Sequence, residues 1–320
     1  MGSGREAGSI IAFRMQCSVV VPVYGGEQLI PPLIERLSHA LPAFAESYEV
    51  ILVDDGSPDE SWTVIERLAE KYAWVRGIHL MRNYGQHNAT LCGLREAGYD
   101  ITVTMDQDLQ HPPEEIPVLL AKLVQGFDVV YGAPRMLPQG LVRNFLTAGI
   151  KKLLARVMGV PSVRNISAFR AFRTDLRKAF INFQSPNFTL DVLLSWGTTR
   201  FTSVQVNIAP AEYSNYDLPK LIRTALLILT GYSTAPLRIA SWIGFAMTIF
   251  GLIVFGYVLI TYFTAGSLPG FPFLASIISL FSGAQLFTLG IFGEYLARMF
   301  DRSMDRPAYV VQKGTGGEGR

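Results

Sequence analysis

Residues 100–108 read DITVTMDQD, a short β-branched run that ends in two aspartates separated by one residue. Runs of the same kind lie on both sides of it: CSVVVPVY at 17–24, YEVILVDD at 48–55, VRGIHLM at 75–81 and DVVYG at 128–132. Stretches with helical spacing separate them, roughly at 27–44, 61–72, 87–97 and 114–125. Apolar strands that alternate with amphipathic helices indicate an α/β fold, in which a mostly parallel sheet carries helices on both faces.

The ends of these strands carry the candidate chemistry, because ligands of such sheets bind beyond the carboxyl ends of the strands. The polar residues at those ends are Tyr24, Asp54, Asp55, Asn83, Asp106 and Asp108. An Asp-x-Asp at a strand end can turn both carboxylates toward one cation. Hard oxygen ligands suit Mg²⁺ or Mn²⁺, which can then bridge to phosphate oxygens. Asp106 and Asp108 are therefore the predicted metal ligands.

The composition is asymmetric along the chain. Of the 320 residues, 49% are hydrophobic and 17% are charged, yet the stretches 239–263 and 272–293 contain no charge at all. Either stretch could cross a bilayer, since about 20 apolar residues suffice. A freely soluble enzyme is therefore excluded as the default, and 12% aromatic residues exclude a disordered chain. Cys17 and Cys92 are too few for a disulfide framework and are expected to be reduced and buried.

Basic residues flank the two uncharged stretches on the same predicted side of a membrane. They are Lys220, Arg223 and Arg238 before the first stretch, and Arg298, Arg302 and Arg306 at or after the end of the second. The positive-inside rule predicts a multi-pass protein of the inner (cytoplasmic) membrane whose catalytic part and tail face the cytoplasm. Residues 1–15 lack the features of a signal peptide and are interpreted as a leader.

These patterns divide the chain into segments. Residues 16–216 form the predicted catalytic domain, 217–236 a juxtamembrane interfacial helix, 237–300 two transmembrane helices and 301–320 a cytoplasmic tail. Within the catalytic part, the stretch 135–178 is rich in Lys and Arg and holds one acid, Asp175. Its segment 139–158 has helical spacing and is interpreted as a helix that lies on an anionic membrane surface. The alternative is an ordinary surface helix with a solvated basic face.

Several motifs between residues 17 and 311 occur together. They are Val21-Pro22-Val23-Tyr24, Asp54-Asp55-Gly56-Ser57, Arg82-Asn83-Tyr84-Gly85-Gln86, Asp106-Gln107-Asp108-Leu109-Gln110-His111-Pro112-Pro113-Glu114, Asp128-Val129-Val130-Tyr131-Gly132, Ser167-Ala168-Phe169-Arg170, Pro236-Leu237-Arg238, Gly293-Glu294-Tyr295 and Arg306-Pro307-x-Tyr309-Val310-Val311. The set resembles the polyprenyl-phosphate glycosyltransferases of family 2, the group similar to dolichyl-phosphate mannose synthase. The motifs of the tail are typical of the bacterial branch with two transmembrane helices.

The resemblance implies a GT-A (Rossmann-like) fold and an inverting transfer of a sugar from a nucleotide-sugar donor, with UDP favoured, to a polyprenyl phosphate lipid. It assigns donor binding to Pro22, Tyr24, Asp54, Asp55, Arg82, Asn83, Gln86, Asp106 and Gln107. It assigns the metal to Asp106 and Asp108, which are also the catalytic candidates together with Asp191 as a possible base. The basic segment suggests Arg164, Ser167, Arg170 and Arg173 for the acceptor phosphate, because guanidinium groups suit phosphate. The related enzymes suggest a homo-oligomer such as a tetramer, and no nucleic-acid partner is expected.

Two alternatives remain open at the level of sequence. A processive polysaccharide synthase would carry a Gln-x-x-Arg-Trp motif and more spans, and the sequence has neither. A non-catalytic membrane scaffold with a transferase-like domain would not need the four aspartates. The stretch 210–216, PAEYSNY, lacks the Arg and Gly that the branch commonly has there, which weakens the prediction of a ligand contact in that stretch.

Overall fold

The computed structural model describes residues 15–134, 166–185, 188–207, 233–265 and 270–315. Residues 1–14 of the predicted leader, the interfacial helix 139–158, most of the interfacial helix 217–236 and Arg164 lie outside these residues. The chain forms two compact units: one contains residues 1–215 together with 307–320, and the other contains residues 216–306. The tail, predicted as a separate segment, therefore contributes to the first unit.

The first unit is built on one sheet whose first half follows the predicted alternation. Its elements are β1 (Met15–Val23), α1 (Ile30–Ala40), β2 (Ala45–Asp54), α2 (Ser61–Lys71), β3 (Val75–Leu80), α3 (Gln86–Glu96), β4 (Ile101–Thr104), α4 (Ile116–Val124) and β5 (Val129–Pro134). Short 3-10 turns at Leu41–Ala43 and Pro113–Glu115 adjoin α1 and α4. Each predicted strand and helix of this half is confirmed with its ends displaced by a few residues.

The second half of the sheet adds three strands outside the predicted alternation of strands and helices. They are β6 (Arg170–Arg173), β7 (Phe201–Val206) and β8 (Val311–Gly314), with the helix α5 (Leu190–Gly197) between β6 and β7. A 3-10 helix, Thr174–Ala179, follows β6. The strand order is β7-β5-β6-β4-β1-β2-β3-β8. Strands β1 to β4 run parallel, β7 is parallel to β5, and β6 and β8 are antiparallel to their neighbours. The predicted mostly parallel sheet is thus confirmed.

The centre of the sheet is buried on both faces. Val19, Val20 and Val21 of β1 are fully buried, as expected for a strand with helices on both sides. The α1 face contributes Leu33, Ile34 and Leu37 to one layer, and α3 packs on the other face. Cys17 and Cys92 are unpaired and buried, as predicted. This dry centre fixes the strands, so that the loops at their carboxyl ends are held in defined positions.

The second unit contains two long helices, α6 (Ala235–Ala265) and α7 (Phe271–Ser303). Within Ala235–Thr264 an 18-residue window has a mean hydropathy of 2.4, and within the described residues this helix alone is long and apolar enough to cross a membrane. Gly251 lets α7 approach closely, since a Cβ there would lie 2.9 Å from the Phe281 ring. The first predicted span is matched by a helix of suitable length and composition. The second also forms a helix, and its crossing of a bilayer stays a prediction.

Candidate active site

A cleft of about 370 Å³ lies at the carboxyl edge of the sheet. Since β4, β1 and β2 are parallel neighbours, their ends bring Asp106, Tyr24 and Asp55 to the same edge. The residues that line the cleft are Pro22, Val23, Tyr24, Asp55, Asn83, Gly85, Gln86, Asp106, Gln107 and Asp108. The structure thus gathers Pro22, Tyr24, Asp55, Asn83, Gln86, Asp106, Gln107 and Asp108 of the predicted donor and metal residues, and it leaves Asp54 and Arg82 outside the lining.

The two aspartates of the Asp-x-Asp motif share this cleft. Burial, and then the neighbouring Asp108 carboxylate, raises the pKa of Asp106 to about 6. The Gln86 side-chain amide donates to Asp106 Oδ1 at 2.5 Å, and Asp108 Oδ1 accepts a hydrogen bond from the Gln110 backbone N–H at 3.1 Å. Two carboxylates that repel each other across a polar cleft form an electrostatic site for a cation.

The two carboxylates fit a divalent cation that takes only part of its ligands from the protein. Among the described residues, no group of three or more His, Cys, Asp or Glu side chains is arranged to hold a metal ion. Asp106 and Asp108 would therefore share such a cation with oxygens that the protein does not supply. Mg²⁺ is commonly held in this way, by one or two carboxylates together with substrate phosphates and water.

The neighbouring aspartates at the end of β2 have different environments. Asp54 is fully buried, accepts from the Ser57 N–H at 3.2 Å and from the Ser57 hydroxyl, and faces His79 Nδ1 at 2.5 Å. Asp55 accepts from the backbone N–H groups of Tyr84 at 2.7 Å and Gly85 at 2.8 Å. Asp54 does not line the cleft, and its role as a donor ligand stays a prediction. Asp55 lines the cleft and also holds the loop after β3.

That loop, residues 82–86, is called the donor loop below. Asn83, Gly85 and Gln86 line the cleft, whereas the Arg82 guanidinium lies over the Tyr84 ring, 4.7 Å from its centroid. In this arrangement Arg82 stabilises the loop from outside rather than facing the cleft. Arg82 is exposed, and its predicted donor contact stays a prediction.

Gln107 connects two strand ends. Its side-chain oxygen accepts from the Tyr24 N–H at 3.1 Å, and its amide nitrogen donates to the Tyr24 carbonyl at 2.8 Å. The amide of Gln107 is therefore bonded to the backbone of Tyr24, whose side chain is 51% exposed at the rim. Gln107 orients Tyr24, and the aromatic ring of Tyr24 is the surface that remains for a ligand.

Arg170 and Asp191, predicted for the acceptor and as a base, are paired with each other in the interior. Each is about 4% exposed, and they form an ion pair. Arg170 Nε also donates to Thr104 Oγ1 at 3.0 Å, and the Tyr131 hydroxyl donates to Asp191 Oδ1 at 2.9 Å. Burial, and then the Asp191 carboxylate, raises the pKa of Tyr131 well above its ordinary value, so the phenol is a neutral donor. These contacts correct the sequence analysis: Arg170 is not an exposed phosphate ligand and Asp191 is not a free base.

The remaining acceptor candidates that the structure describes lie at different places in the sheet, and they do not form one site. In the antiparallel pairing of β6 with β4, Arg170 lies opposite Thr104, whereas Arg173 lies opposite Ile101, at the far end of β4 from the cleft. Arg173 pairs there with Asp128 at 3.3 Å, so its predicted acceptor role is wrong. Ser167 is partly buried and its hydroxyl accepts from the Phe169 N–H at 3.2 Å. Arg164 lies outside the described residues and stays a prediction.

One residue of the motif that the sequence analysis quoted without a role lies directly beside the aspartates. His111 Nδ1 accepts from the Asp106 N–H at 3.3 Å, and its ring stacks on Phe169 with centroids 5.2 Å apart. Burial lowers the pKa of His111, which favours the neutral ring that this contact requires. The sequence feature that could have identified His111 is its position five residues after Asp106, where a turn returns the chain to the strand end.

Comparison with known proteins shows the family to which the chain belongs. Residues 18–180 match the domain described as glycosyl transferase family 2. The undecaprenyl-phosphate 4-deoxy-4-formamido-L-arabinose transferase of Shewanella sediminis is 37% identical over 92% of this chain and 91% of that protein. The enzyme of the same name from Proteus mirabilis is 33% identical over 93% of this chain and 94% of that protein.

Solved structures show the same fold. The glucosyl-3-phosphoglycerate synthase of Mycobacterium tuberculosis with UDP superimposes with a TM-score of 0.52 and 21% identity, over 72% of this chain and 84% of that one. The same enzyme with Mn²⁺, UDP and glucosyl-3-phosphoglycerate also gives 0.52, at 20% identity and the same coverage. The family resemblance and the GT-A fold expected from the sequence are confirmed. The chain belongs to glycosyl transferase family 2.

Proposed function

We propose that this protein is a membrane-bound, metal-dependent, inverting glycosyltransferase that moves a sugar from a UDP-sugar to polyprenyl phosphate. The observation that carries the proposal is the single cleft in which Asp106 and Asp108 face Asn83, Gln86 and the Tyr24 rim. The relatives that match over nine tenths of the chain are named as undecaprenyl-phosphate sugar transferases. The names of those relatives support the lipid acceptor, and the UDP complexes of the solved structures with the same fold support a UDP-sugar donor.

Asp106 and Asp108 would hold Mg²⁺ or Mn²⁺ together with the donor diphosphate. The cation supplies stabilisation for the negative charge that develops on the leaving nucleoside diphosphate. The chain itself contributes the placement of both carboxylates: Gln86 fixes one oxygen of Asp106, and the turn to Gln110 fixes one oxygen of Asp108. Tyr24, held by Gln107, offers an aromatic face on which a nucleotide base can stack.

The acceptor chemistry agrees with the absence of a free base at Asp191. A phosphate monoester has a second pKa of about 6, so it is largely dianionic at neutral pH. Its oxygen can therefore attack the sugar without a strong general base. A carboxylate bonded to Arg170 and Tyr131 is therefore not required for proton removal. Ser167, and Arg164 by prediction, are the remaining members of the proposed acceptor site.

A panel of donors tests the function. Purified protein in detergent should transfer sugar from a UDP-sugar to a short polyprenyl phosphate, with the product read as lipid-linked sugar by mass. The panel contains UDP-glucose, UDP-galactose, UDP-4-deoxy-4-formamido-L-arabinose and GDP-mannose, and we expect the UDP-formamido sugar to be used best. A polymeric product would instead indicate a processive synthase. No turnover with any donor would favour a non-catalytic scaffold.

The raised pKa of Asp106 predicts an acid limit on metal binding. Below about pH 6 this carboxyl takes up a proton and can no longer ligate a cation, so the apparent affinity for Mn²⁺ should fall as the pH drops through 6. The affinity should be fully present above that range. Titration of Mn²⁺ at a series of pH values measures it, and the acid limb of activity should move to lower pH when Mn²⁺ is raised. If the acid limb of the activity profile did not move with the Mn²⁺ concentration, the assignment of Asp106 as a metal ligand would be wrong.

We further propose a multi-pass protein of the inner membrane, with residues 237–300 as two spans, 16–216 and 301–320 in the cytoplasm, and a homo-oligomer such as a tetramer as the assembly. A cysteine in place of Ser267, between the spans, should react with an impermeant reagent from outside the cell. A cysteine in place of Ser303 should not. Cys17 and Cys92 are 0% and 1% exposed and should give little background. Labelling of both positions from the same side would refute the two-span topology.

A further inference from the structure

The end of the chain is part of the catalytic sheet. Strand β8 runs antiparallel to β3, with Leu80 opposite Val311 and Ile78 opposite Gly314. Two further contacts extend the pairing at its ends. The Gly77 N–H donates to Thr315 Oγ1 at 2.8 Å, and the Met81 N–H donates to the Val310 carbonyl at 2.9 Å. The tail therefore follows β3 from Gly77 onward and reaches Met81, the residue that precedes the donor loop.

Just before β8, the tail inserts side chains behind the donor loop. Ala308 is 3% exposed, and Tyr309 packs against the apolar cluster that contains Ile78, Leu80 and Cys92. Tyr84 of the donor loop packs against the same cluster. The Arg95 Nη1 donates to the Tyr309 hydroxyl at 3.2 Å, and the guanidinium lies 5.4 Å from the centroid of its ring. Tyr84 and Tyr309 are thus supported by one common surface.

The donor loop also has supports from α3, where the Asn88 side-chain amide donates to the Tyr84 carbonyl at 2.7 Å. Asp55 binds the N–H groups of Tyr84 and Gly85 from the side of the cleft. Gly56, with a φ of +64°, packs directly on the start of the loop, since a Cβ there would lie 2.5 Å from the Arg82 carbonyl carbon. The Val310 carbonyl and the Tyr309 ring complete the support from the opposite side. The loop is consequently held between the acidic turn after β2 and the tail.

We propose that Tyr309 and Val310 are positioning residues for the donor nucleotide-sugar, which act by holding the donor loop from behind. The proposal rests on the proposed function, because that function places the donor against Asn83 and Gln86. The tail follows directly on α7 in the chain, so the donor site is complete only when the segment after the two long helices has joined the sheet. Nucleotide affinity then depends on residues that do not line the cleft.

The test uses Tyr309→Ala in the full-length protein, with Tyr309→Phe as the conservative variant. Tyr309→Ala removes the ring that packs on the cluster beside Tyr84, so we expect it to raise the KM for the donor and the Kd for UDP by about tenfold. The KM for polyprenyl phosphate should change by less than about twofold. Tyr309→Phe keeps the ring on the cluster and should restore donor binding to within about threefold of wild type.

A matched control is Tyr48→Ala, which removes another half-buried tyrosine ring. Tyr48 stacks edge-on against Trp74 at 5.6 Å, and its place opposite Cys17 puts it at the far end of β2 from the cleft. Tyr48→Ala should leave the Kd for UDP unchanged. Hydrogen–deuterium exchange adds a readout that does not depend on turnover: Tyr309→Ala should speed exchange at the Tyr84 and Gly85 amides more than in β1 or β4.

The outcomes separate the proposals. Unchanged UDP affinity and unchanged exchange of the donor loop in Tyr309→Ala would overturn the positioning role. Equal losses for donor and acceptor, with exchange raised throughout the sheet, would also overturn it, because they indicate general destabilisation. If the wild-type protein transfers no sugar, the proposed function fails by itself. The exchange experiment still decides whether the tail holds the loop.

Discussion

Replacement of Asp108 by asparagine is expected to lower kcat by about a hundredfold to a thousandfold, the loss typical of removing one group that stabilises transition-state charge. Asparagine keeps the shape of the side chain and can still accept the hydrogen bond from Gln110, so the turn should persist. What disappears is the negative charge that faces the cation beside Asp106. Formation of lipid-linked sugar at saturating Mg²⁺ or Mn²⁺, from a fixed amount of folded protein, measures the effect.

The matched control for this substitution is Asp175→Asn. Asp175 is an exposed acid that forms an ion pair with Lys178 at 2.8 Å, and it lies on the 3-10 helix after β6, away from the cleft. Its replacement should leave kcat unchanged. Treatment of the wild-type enzyme with EDTA should abolish activity, and added Mn²⁺ should restore it. An enzyme that is insensitive to the chelator, or an Asp108→Asn variant with normal kcat, would refute the metal assignment.

The sequence allowed the first half of the sheet to be predicted because each element there carries its own pattern. The valine-rich run of β1 and the amphipathic stretch of α2 are each long enough to show their period. The strands β6 and β8 have only four residues each. The pairing of β8 with β3 joins residues more than two hundred positions apart, as in the bond from Gly77 to Thr315. A local pattern contains no information about such a contact.

The position of the cleft could also be predicted, whereas the direction of individual side chains could not. Parallel strands place Asp55 and Asp106 at one edge whatever their neighbours are. Adjacent residues on a strand face opposite sides, and the sequence did not say whether Asp54 or Asp55 would line the cleft. Here the hydroxyl of Ser57 and the ring of His79 bind Asp54 on the buried side.

Arg170 shows the same limit for the acceptor site. Its alternation with Ala171 indicates two faces of a strand, and the basic composition of the surrounding segment suggests a phosphate ligand. The burial of the Arg170 side chain depends on α5, which brings Asp191 next to it from a distant part of the chain. The ion pair with Asp191 therefore changes the interpretation of Arg170 from a phosphate ligand to a buried structural residue.

Replacement of Arg170 by alanine is expected to destabilise the catalytic unit by about 3–5 kcal/mol, the cost of removing one partner of a buried ion pair. The substitution leaves the Asp191 carboxylate buried with only the Tyr131 hydroxyl as a described partner, and it removes the bond to Thr104. For a domain of this size the loss corresponds to a fall in Tm of roughly 6–20 °C. Thermal unfolding of the purified protein in detergent, followed by circular dichroism, measures it.

Two further variants separate this buried pair from a phosphate-binding role. Arg170→Met combined with Asp191→Leu removes both charges together and should recover most of the lost stability, because no unpaired charge stays buried. Arg173→Ala is the matched surface control: Arg173 is half exposed, and its partner Asp128 keeps Arg200 at 2.9 Å, so the change should stay within about 1 kcal/mol. If Arg170→Ala instead kept the wild-type Tm and raised only the KM for polyprenyl phosphate, Arg170 would be an acceptor ligand. The ion pair with Asp191 would then have to open when the lipid binds.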